Sequence, residues 1–321
     1  MTQTTGRWTG RGRDATLLVA LAAALWGLDG LLRKPLATEL DAATVVFWEH
    51  FIAVLILSPF VPGALRAMRR CSVRDQAAVV VIGVGSSATA TVMFTKAFAL
   101  AAEHYDYVTP LVLQQLQPII AVALAVVILG ERLRPTYALY AVPALIGAWL
   151  LAFAEPFDVQ VSELTPALLA LGAAALWAAG TVLGRLVGFS LTPREVTTLR
   201  YVFGLLGAAV AVWITGAPYA AGWHNAVGLL LLALIPGLLA LWIYYRGLAN
   251  TAASRATLAE LAFPATAALV GVLYLNSHLD GSQWLGLAIV AASVAALGLH
   301  EQRRRPAVTV PEQPETIAVA G

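Results

Sequence analysis

The sequence predicts an all-α membrane protein of ten transmembrane helices, built as two inverted five-helix repeats. Three observations predict it. Of 321 residues, 60% are hydrophobic and 12% are charged, whereas a soluble domain carries roughly 25% charged residues. Apolar runs long enough to cross about 30 Å of hydrocarbon recur along the whole chain. The first half also repeats in the second. Ala24-Leu25-Trp26-Gly27 recurs as Ala175-Leu176-Trp177-Ala178, and Pro118 in Gln114-Gln115-Leu116-Gln117-Pro118 is matched by Pro264 in Glu260-Leu261-Ala262-Phe263-Pro264. Five spans is an odd number, so the second copy enters the bilayer upside down. Inverted repeats of this kind let one midplane site face either side in turn.

The spans are expected near 15–33, 43–61, 77–98, 108–129 and 136–154, then near 165–187, 196–216, 226–248, 254–275 and 282–300. Each must be a helix, because lipid offers no partner to free backbone groups. This divides the chain into a cytoplasmic tail (1–14), a first repeat (15–154), an extracytoplasmic linker (155–164), a second repeat (165–300) and a disordered cytoplasmic tail (301–321). Pro143, Pro236 and Pro264 fall inside spans and predict kinks. The basic start followed by an apolar run imitates a secretory leader. That run, however, holds Trp26, Gly27 and Asp29 and reappears at Trp177, which a cleaved leader has no reason to do. The lone cysteine, Cys71, sits in a basic loop with no metal-site pattern around it, and it forms no intrachain disulfide.

Net charge is only +2, but the placement of the charges is informative. Arg66, Arg69, Arg70 and Arg74 follow span two, Arg132 and Arg134 follow span four, and Arg185 and Arg194 surround the turn after span six. Arg255 follows span eight, and Arg303, Arg304 and Arg305 follow span ten. The alternate loops hold only Arg33 and Lys34 as basic residues, alongside Glu103, His104, Asp106, Glu155, Asp158 and Glu163. The excess of Lys and Arg on one side places both termini in the cytoplasm of a multi-pass cell-membrane (inner or plasma membrane) protein.

At one constant offset, Trp26 maps onto Trp177, Lys34 onto Arg185 and Glu49 onto Arg200. Lys96 then maps onto Arg246, a few extra residues follow around Glu103-His104-Tyr105-Asp106-Tyr107, and Pro118 meets Pro264. Gly130-Glu131-Arg132-Leu133 meets Asn276-Ser277-His278-Leu279. The Ala-Leu-Trp-Gly of span one, the Lys96-Ala97 turn of span three, the proline midway through span four and the Leu129-Gly130-Glu131-Arg132-Leu133 at its end resemble the drug/metabolite transporter superfamily. The resemblance is to its ten-helix branch of two EamA-type domains and covers roughly residues 15–300. The second copy departs from the pattern, with Asn276-Ser277 for Gly130-Glu131 and Ala178 for the glycine after Trp26. Members of this architecture export amino acids or other small polar metabolites, which the resemblance implies for this chain.

Charge at bilayer depth is costly, so ionisable residues there face a cavity or a partner. Glu49 in span two is read either as a cavity carboxylate for a proton or a substrate amine, or as one half of a structural ion pair with Lys96 or Arg200. Glu260 shares a helical face with Thr257 and Pro264, as Gln114 and Gln117 share one with Pro118. Proline frees a backbone carbonyl one turn earlier, so these two faces suggest a paired polar site. Interhelical bonding is the plainer alternative. Ser87, Thr91 and Thr95 form a hydroxyl stripe leading to Lys96, which either faces the cavity or snorkels to the interface. Trp26 shares a face with Asp29 and Arg33, and Tyr245 shares one with Trp242. With Trp177, these aromatics suit a planar or cationic ligand. The candidate cavity residues are therefore Trp26, Glu49, Thr91, Lys96, Gln114, Gln117, Trp177, Tyr245 and Glu260.

The reading is a secondary transporter, an exporter of a small polar or amphipathic metabolite such as an amino acid, working by alternating access. Proton coupling is an open option. The first alternative is proton-coupled efflux of drugs or quaternary ammonium compounds. The chain has no Gly-x-x-x-x-Gly-Lys-Ser/Thr loop for ATP, and no His-Glu-x-x-His or Gly-x-Ser-x-Gly motif for an intramembrane enzyme. No cofactor, metal, catalytic residue or nucleic-acid partner is expected. The expected partners are the substrate, the bilayer and, through peripheral spans five and ten, a second copy of the chain.

Overall fold

The computed structural model describes residues 15–37, 39–103, 113–114, 116–133, 135–153, 155, 157, 164–274 and 278–303. Tail 1–14, nearly all of tail 301–321 and most of linker 155–164 lie outside them. Nine helices among the described residues are long and apolar enough to cross a membrane: α1 (Thr16–Arg33), α2 (Ala42–Arg70), α3 (Val73–Phe94), α5 (Pro135–Ala152), α6 (Leu164–Val187), α7 (Pro193–Thr215), α8 (Trp223–Leu248), α9 (Ala253–Tyr274) and α10 (Gly281–His300). A shorter apolar helix, α4 (Gln117–Leu129), lies where the fourth span is expected. Large apolar side chains stay exposed around the outside, such as Val127 (81%) and Leu139 (70%), on a surface suited to lipid. The interior is instead rich in small residues, including Ala22, Ala23, Ala53, Ala173 and Ala174, which let helices approach closely.

The helix pairings are reciprocal between the two halves. α1 packs on α8 and α9, and in the same way α6 packs on α3 and α4. α2 packs on α7, α5 on α10 and α4 on α9. Exchanging the halves leaves this set unchanged, as a duplicated five-helix unit requires. α5 and α10, expected at the periphery, pack on each other. At their crossing a Cβ on Gly286 would lie 2.5 Å from Leu151 N and 2.6 Å from Gly147 O, so only glycine permits this separation.

The interruptions in the helices also recur. α3 widens to a π-helical stretch over Val81–Thr89, and its counterpart α8 does so over Ala233–Leu239, around Pro236. α9 breaks at Glu260–Leu261, between Ala253–Ala259 and Ala262–Tyr274. Pro264 cannot donate to the Glu260 carbonyl, so Phe263 N–H bonds to it instead at 2.9 Å. α4 starts at Gln117 after a turn at Leu116, whose N–H reaches Leu113 O at 3.2 Å. Pro143, by contrast, lies inside a helix that continues through it, Ala138–Ala152.

The end carrying the arginine-rich loops is tied across the repeats. Beyond the left-handed Gly130 (φ 65), the Glu131 carboxylate accepts from Ala253 N–H (2.7 Å), Ser254 N–H (3.1 Å) and Ser254 Oγ (2.7 Å). Tyr137 Oη donates to Ser254 O at 2.8 Å. The Arg185 guanidinium donates to the carbonyls of Leu248, at 2.8 Å, and Ala249.

Gly286→Ala forces α5 and α10 apart and should cost about 1–3 kcal/mol, as overpacking does. Gly63→Ala meets nothing within 4 Å and should leave stability equal or higher. Thermal unfolding in detergent checks both, with a lowered midpoint expected for Gly286→Ala alone.

Candidate functional site

The helix breaks of α4 and α9, the π-helical stretches of α3 and α8, and the middles of α1, α2, α6 and α7 surround one cavity of about 680 Å³. Such a volume is within the usual range for small-molecule sites. Its walls are built from repeat-related positions. Trp26 packs at a tilt against Tyr244 (centroids 5.0 Å apart), and Trp177 packs edge to face against Phe94 (5.1 Å apart). The repeat that maps Trp26 onto Trp177 also maps Phe94 onto Tyr244, so these are two copies of one aromatic pair. Glu49 and Arg200 are likewise related, as are Gln114 and Glu260. All of these residues line the cavity. The repeat has kept its shape and changed its charges.

On the first copy's side one guanidinium is shared by two carboxylates, so the cluster keeps a net charge of −1. Arg33 donates to Asp29 through Nε (2.6 Å) and Nη2 (2.7 Å), and through Nη2 to Glu49 (3.0 Å). Asp29 and Arg33 are four apart on one helix turn, so they reach each other without bending the chain. The partner of Glu49 is thus Arg33, not the expected Lys96 or Arg200. Next to Glu49, His50 is buried, with Nδ1 on Val46 O and Nε2 on Ser87 Oγ. It acts as a structural clip between α2 and α3.

Glu260 and Arg200 have no such counter-charge among the described residues. The Glu260 Oε1 accepts from Tyr244 Oη (2.8 Å) and Thr181 Oγ1 (3.0 Å), and Oε2 accepts from Gln117 Nε2 (3.3 Å). Every one of these donors is neutral. Arg200 donates through Nε to Ser87 Oγ (3.3 Å) and through Nη1 to Tyr245 Oη (3.1 Å).

Of the expected site residues, the structure brings Trp26, Glu49, Thr91, Gln114, Gln117, Trp177 and Glu260 to the cavity. Thr91 also turns its hydroxyl back to Ser87 O at 2.9 Å. Lys96 and Tyr245 are not in its wall. Lys96 is exposed; two residues past Phe94, it points about 200° away around the helix. Tyr245 is buried behind the wall and holds Arg200, while its neighbour Tyr244 takes the cavity face. Sequence reasoning missed Tyr244, Thr181 and the Arg33–Glu49 pair. Tyr244 was legible as the repeat partner of Phe94. The other two depend on how helices within one repeat cross, α1 on α2 for Arg33–Glu49 and α6 on α9 for Thr181–Glu260.

Beyond the repeat-related pairs, the lining continues towards one end only, through Asp29, Arg33, Leu151, Ala152, Ala267 and Ala268. The repeat partners of Leu151 and Ala267 are Leu297 and Ala121, both buried. The partner of Arg33 is Gly184, packed against Tyr245 and Leu248. Among the described residues the cavity is therefore walled off at the arginine-rich end and extends towards the other.

The profile of the EamA-like transporter family matches this chain twice, over residues 14–153 and 164–299. The chain belongs to that family, within the drug/metabolite transporter superfamily, and is a multi-pass membrane transporter rather than an enzyme. It is 30% identical to the riboflavin transporter ImpX of Fusobacterium nucleatum, over 87% of this chain and 95% of that protein. It is 25% identical to the uncharacterized transporter YwfM of Bacillus subtilis, over 92% and 98%. It is 34% identical to the threonine/homoserine exporter RhtA of Salmonella typhimurium, over 62% and 69%. A solved structure with 18% identity superposes with a TM-score of 0.71, covering 92% of this chain and all of the other; it supports the fold alone.

Removing one member of a buried ion pair costs more than removing both. Arg33→Gln should lower the thermal midpoint more than Arg33→Gln combined with Glu49→Gln. A double-mutant cycle should give a coupling of about 1–3 kcal/mol.

Proposed function

We propose that this transporter is a secondary carrier that exports a small polar or amphipathic metabolite, such as an amino acid, by alternating access. Ten spans would cross the cell membrane, the fourth formed by residues 108–129, with both termini and the arginine-rich loops in the cytoplasm. The observation that carries this reading is the cavity itself: enclosed by repeat-related residues, closed at one end and extended towards the other. A duplicated unit with a shared central site has two equivalent ways to close, one at each end. The names of the relatives agree with a small-molecule cargo, and one of them is an exporter. The drive would be the substrate gradient or a proton.

The Glu131 clasp explains which end is shut. It holds the start of α9 to the end of α4, and the second repeat offers Asn276-Ser277 in the matching place, with no carboxylate to repeat the clasp at the opposite end. The state described here is therefore the favoured resting state.

Proteoliposomes carrying the protein should show counterflow of amino acids, and Glu260→Gln should slow it by tenfold or more. No counterflow of any amino acid would remove amino acids as the cargo. Spin labels at Arg132 and Asn250 should report one short distance in the resting protein. Glu131→Ala should add a longer population. Glu195→Ala, which removes the capping box that Glu195 forms with Thr192 inside α7, should not.

A further inference from the structure

We propose that Arg200 and Glu260 are the two poles of the substrate site, and that its cargo is a zwitterion: a small molecule with a carboxylate for Arg200, an ammonium for Glu260 and an apolar part for the aromatic pairs. This deepens the carrier reading and rests on it. The argument begins from what the other charges do. Asp29, Arg33 and Glu49 are joined by three hydrogen bonds of 2.6–3.0 Å, so each of these charges already has a counter-charge, while the cluster as a whole keeps a net charge of −1. Arg200 and Glu260 line the same cavity, and neither has an opposite charge within ion-pair distance among the described residues. An unneutralised charge at that depth is costly, and such residues recur where a carrier meets its cargo.

Each pole also has free bonding capacity. Arg200 spends Nε and Nη1 on hydroxyls, while Nη2 has no partner among the described residues and is not a buried unsatisfied atom. Nη2 therefore opens onto the cavity. Glu260 spends Oε1 on two good donors, while Oε2 receives only the long bond from Gln117. Beside each pole is a buried hydroxyl with no hydrogen-bond partner among the described residues. Tyr201 follows Arg200 in α7, with its Oη near Gly237 and Glu49, and Thr257 Oγ1 lies one turn before Glu260. Both residues are 1% exposed and both border the cavity. Unsatisfied buried hydroxyls are rare, because each forfeits its solvation. Both hydroxyl oxygens are occluded from the cavity in the state described, so a carboxylate held by Arg200 would accept from Tyr201, and an ammonium held by Glu260 would donate to Thr257, once those side chains turn towards it. Two unpaired charges of opposite sign, each with a vacant hydroxyl, suit a dipolar ligand and leave one pole idle for a simple cation or an uncharged flavin.

The two poles predict opposite selectivity in two variants. Purified protein is titrated with each common L-amino acid by thermal shift. The tightest binder is then compared with its decarboxylated amine and its deaminated acid. In the unaltered protein both truncated compounds should bind about tenfold or more weakly, as expected for a lost charged hydrogen bond. Arg200→Gln should weaken the amino acid to the level of its amine and leave the amine unchanged. Glu260→Gln should weaken the amino acid and leave the acid unchanged. Arg200→Lys, which keeps the charge, should retain part of the affinity and show that the site still folds. Equal binding of the amine or of tetraethylammonium by the unaltered protein would overturn the proposal in favour of a cation site. Amino-acid counterflow that survives both neutral variants would overturn the assignment of the poles while leaving the carrier reading intact. Counterflow of riboflavin with no amino acid bound would refute the zwitterion and the amino-acid cargo together.

Discussion

The Arg33 guanidinium, clamped between Asp29 and Glu49, sets the electrostatics of the whole cavity. It joins two carboxylates to one cation at the end of α1, a cluster of net charge −1, where the cavity extends away from the arginine-rich loops. Without it, Glu49 would face Arg200 across the repeat axis as the obvious counter-charge. With it, Arg200 is left to the hydroxyls of Ser87 and Tyr245, and Glu260 to Tyr244, Thr181 and Gln117. The cost of burying charge in low dielectric is met in one cluster and left open at two points.

Duplication supplies the frame for those points. The aromatic pairs Trp26–Tyr244 and Phe94–Trp177 are two copies of one contact, and the π-helical stretches of α3 and α8 are two copies of one distortion. Shape is shared between the copies, but chemistry is not: Glu49 corresponds to Arg200, Gln114 to Glu260 and Glu131 to Ser277. A site with two-fold shape and no two-fold charge is suited to a cargo with two different ends. Glu131 adds a further asymmetry: it holds the start of α9 through a carboxylate that Ser277 lacks.

Much of this was legible in the sequence. The apolar runs and the Trp26/Trp177 and Pro118/Pro264 matches pointed to the helical, duplicated fold, and proline chemistry pointed to the breaks beside Gln117 and Glu260. The limits were set by helix phase and by crossing geometry. Tyr245 was chosen over Tyr244 because both sit near the same depth, and only the packing of α8 on α1 decides which ring faces inward. Lys96 carried charge at a suggestive position, but the turn of the helix carries it to the outside. Glu49 was suspected of a partner in Lys96 or Arg200, yet Arg33, placed with Trp26 and Asp29 on one face at the end of span one, was not joined to it, because the crossing of α1 on α2 leaves no mark in composition. Pro143 shows the reverse: a helix-breaking residue where the helix persists.

The most direct measurement is a structure of the carrier with its cargo bound, by electron cryo-microscopy in lipid nanodiscs. The account predicts a ligand carboxylate within hydrogen-bond distance of Arg200 Nη2 and Tyr201 Oη, an ammonium against Glu260 Oε2 and Thr257 Oγ1, and the Asp29–Arg33–Glu49 cluster intact. A cargo that instead breaks that cluster to bind Glu49 or Arg33, leaving Arg200 and Glu260 untouched, would contradict it.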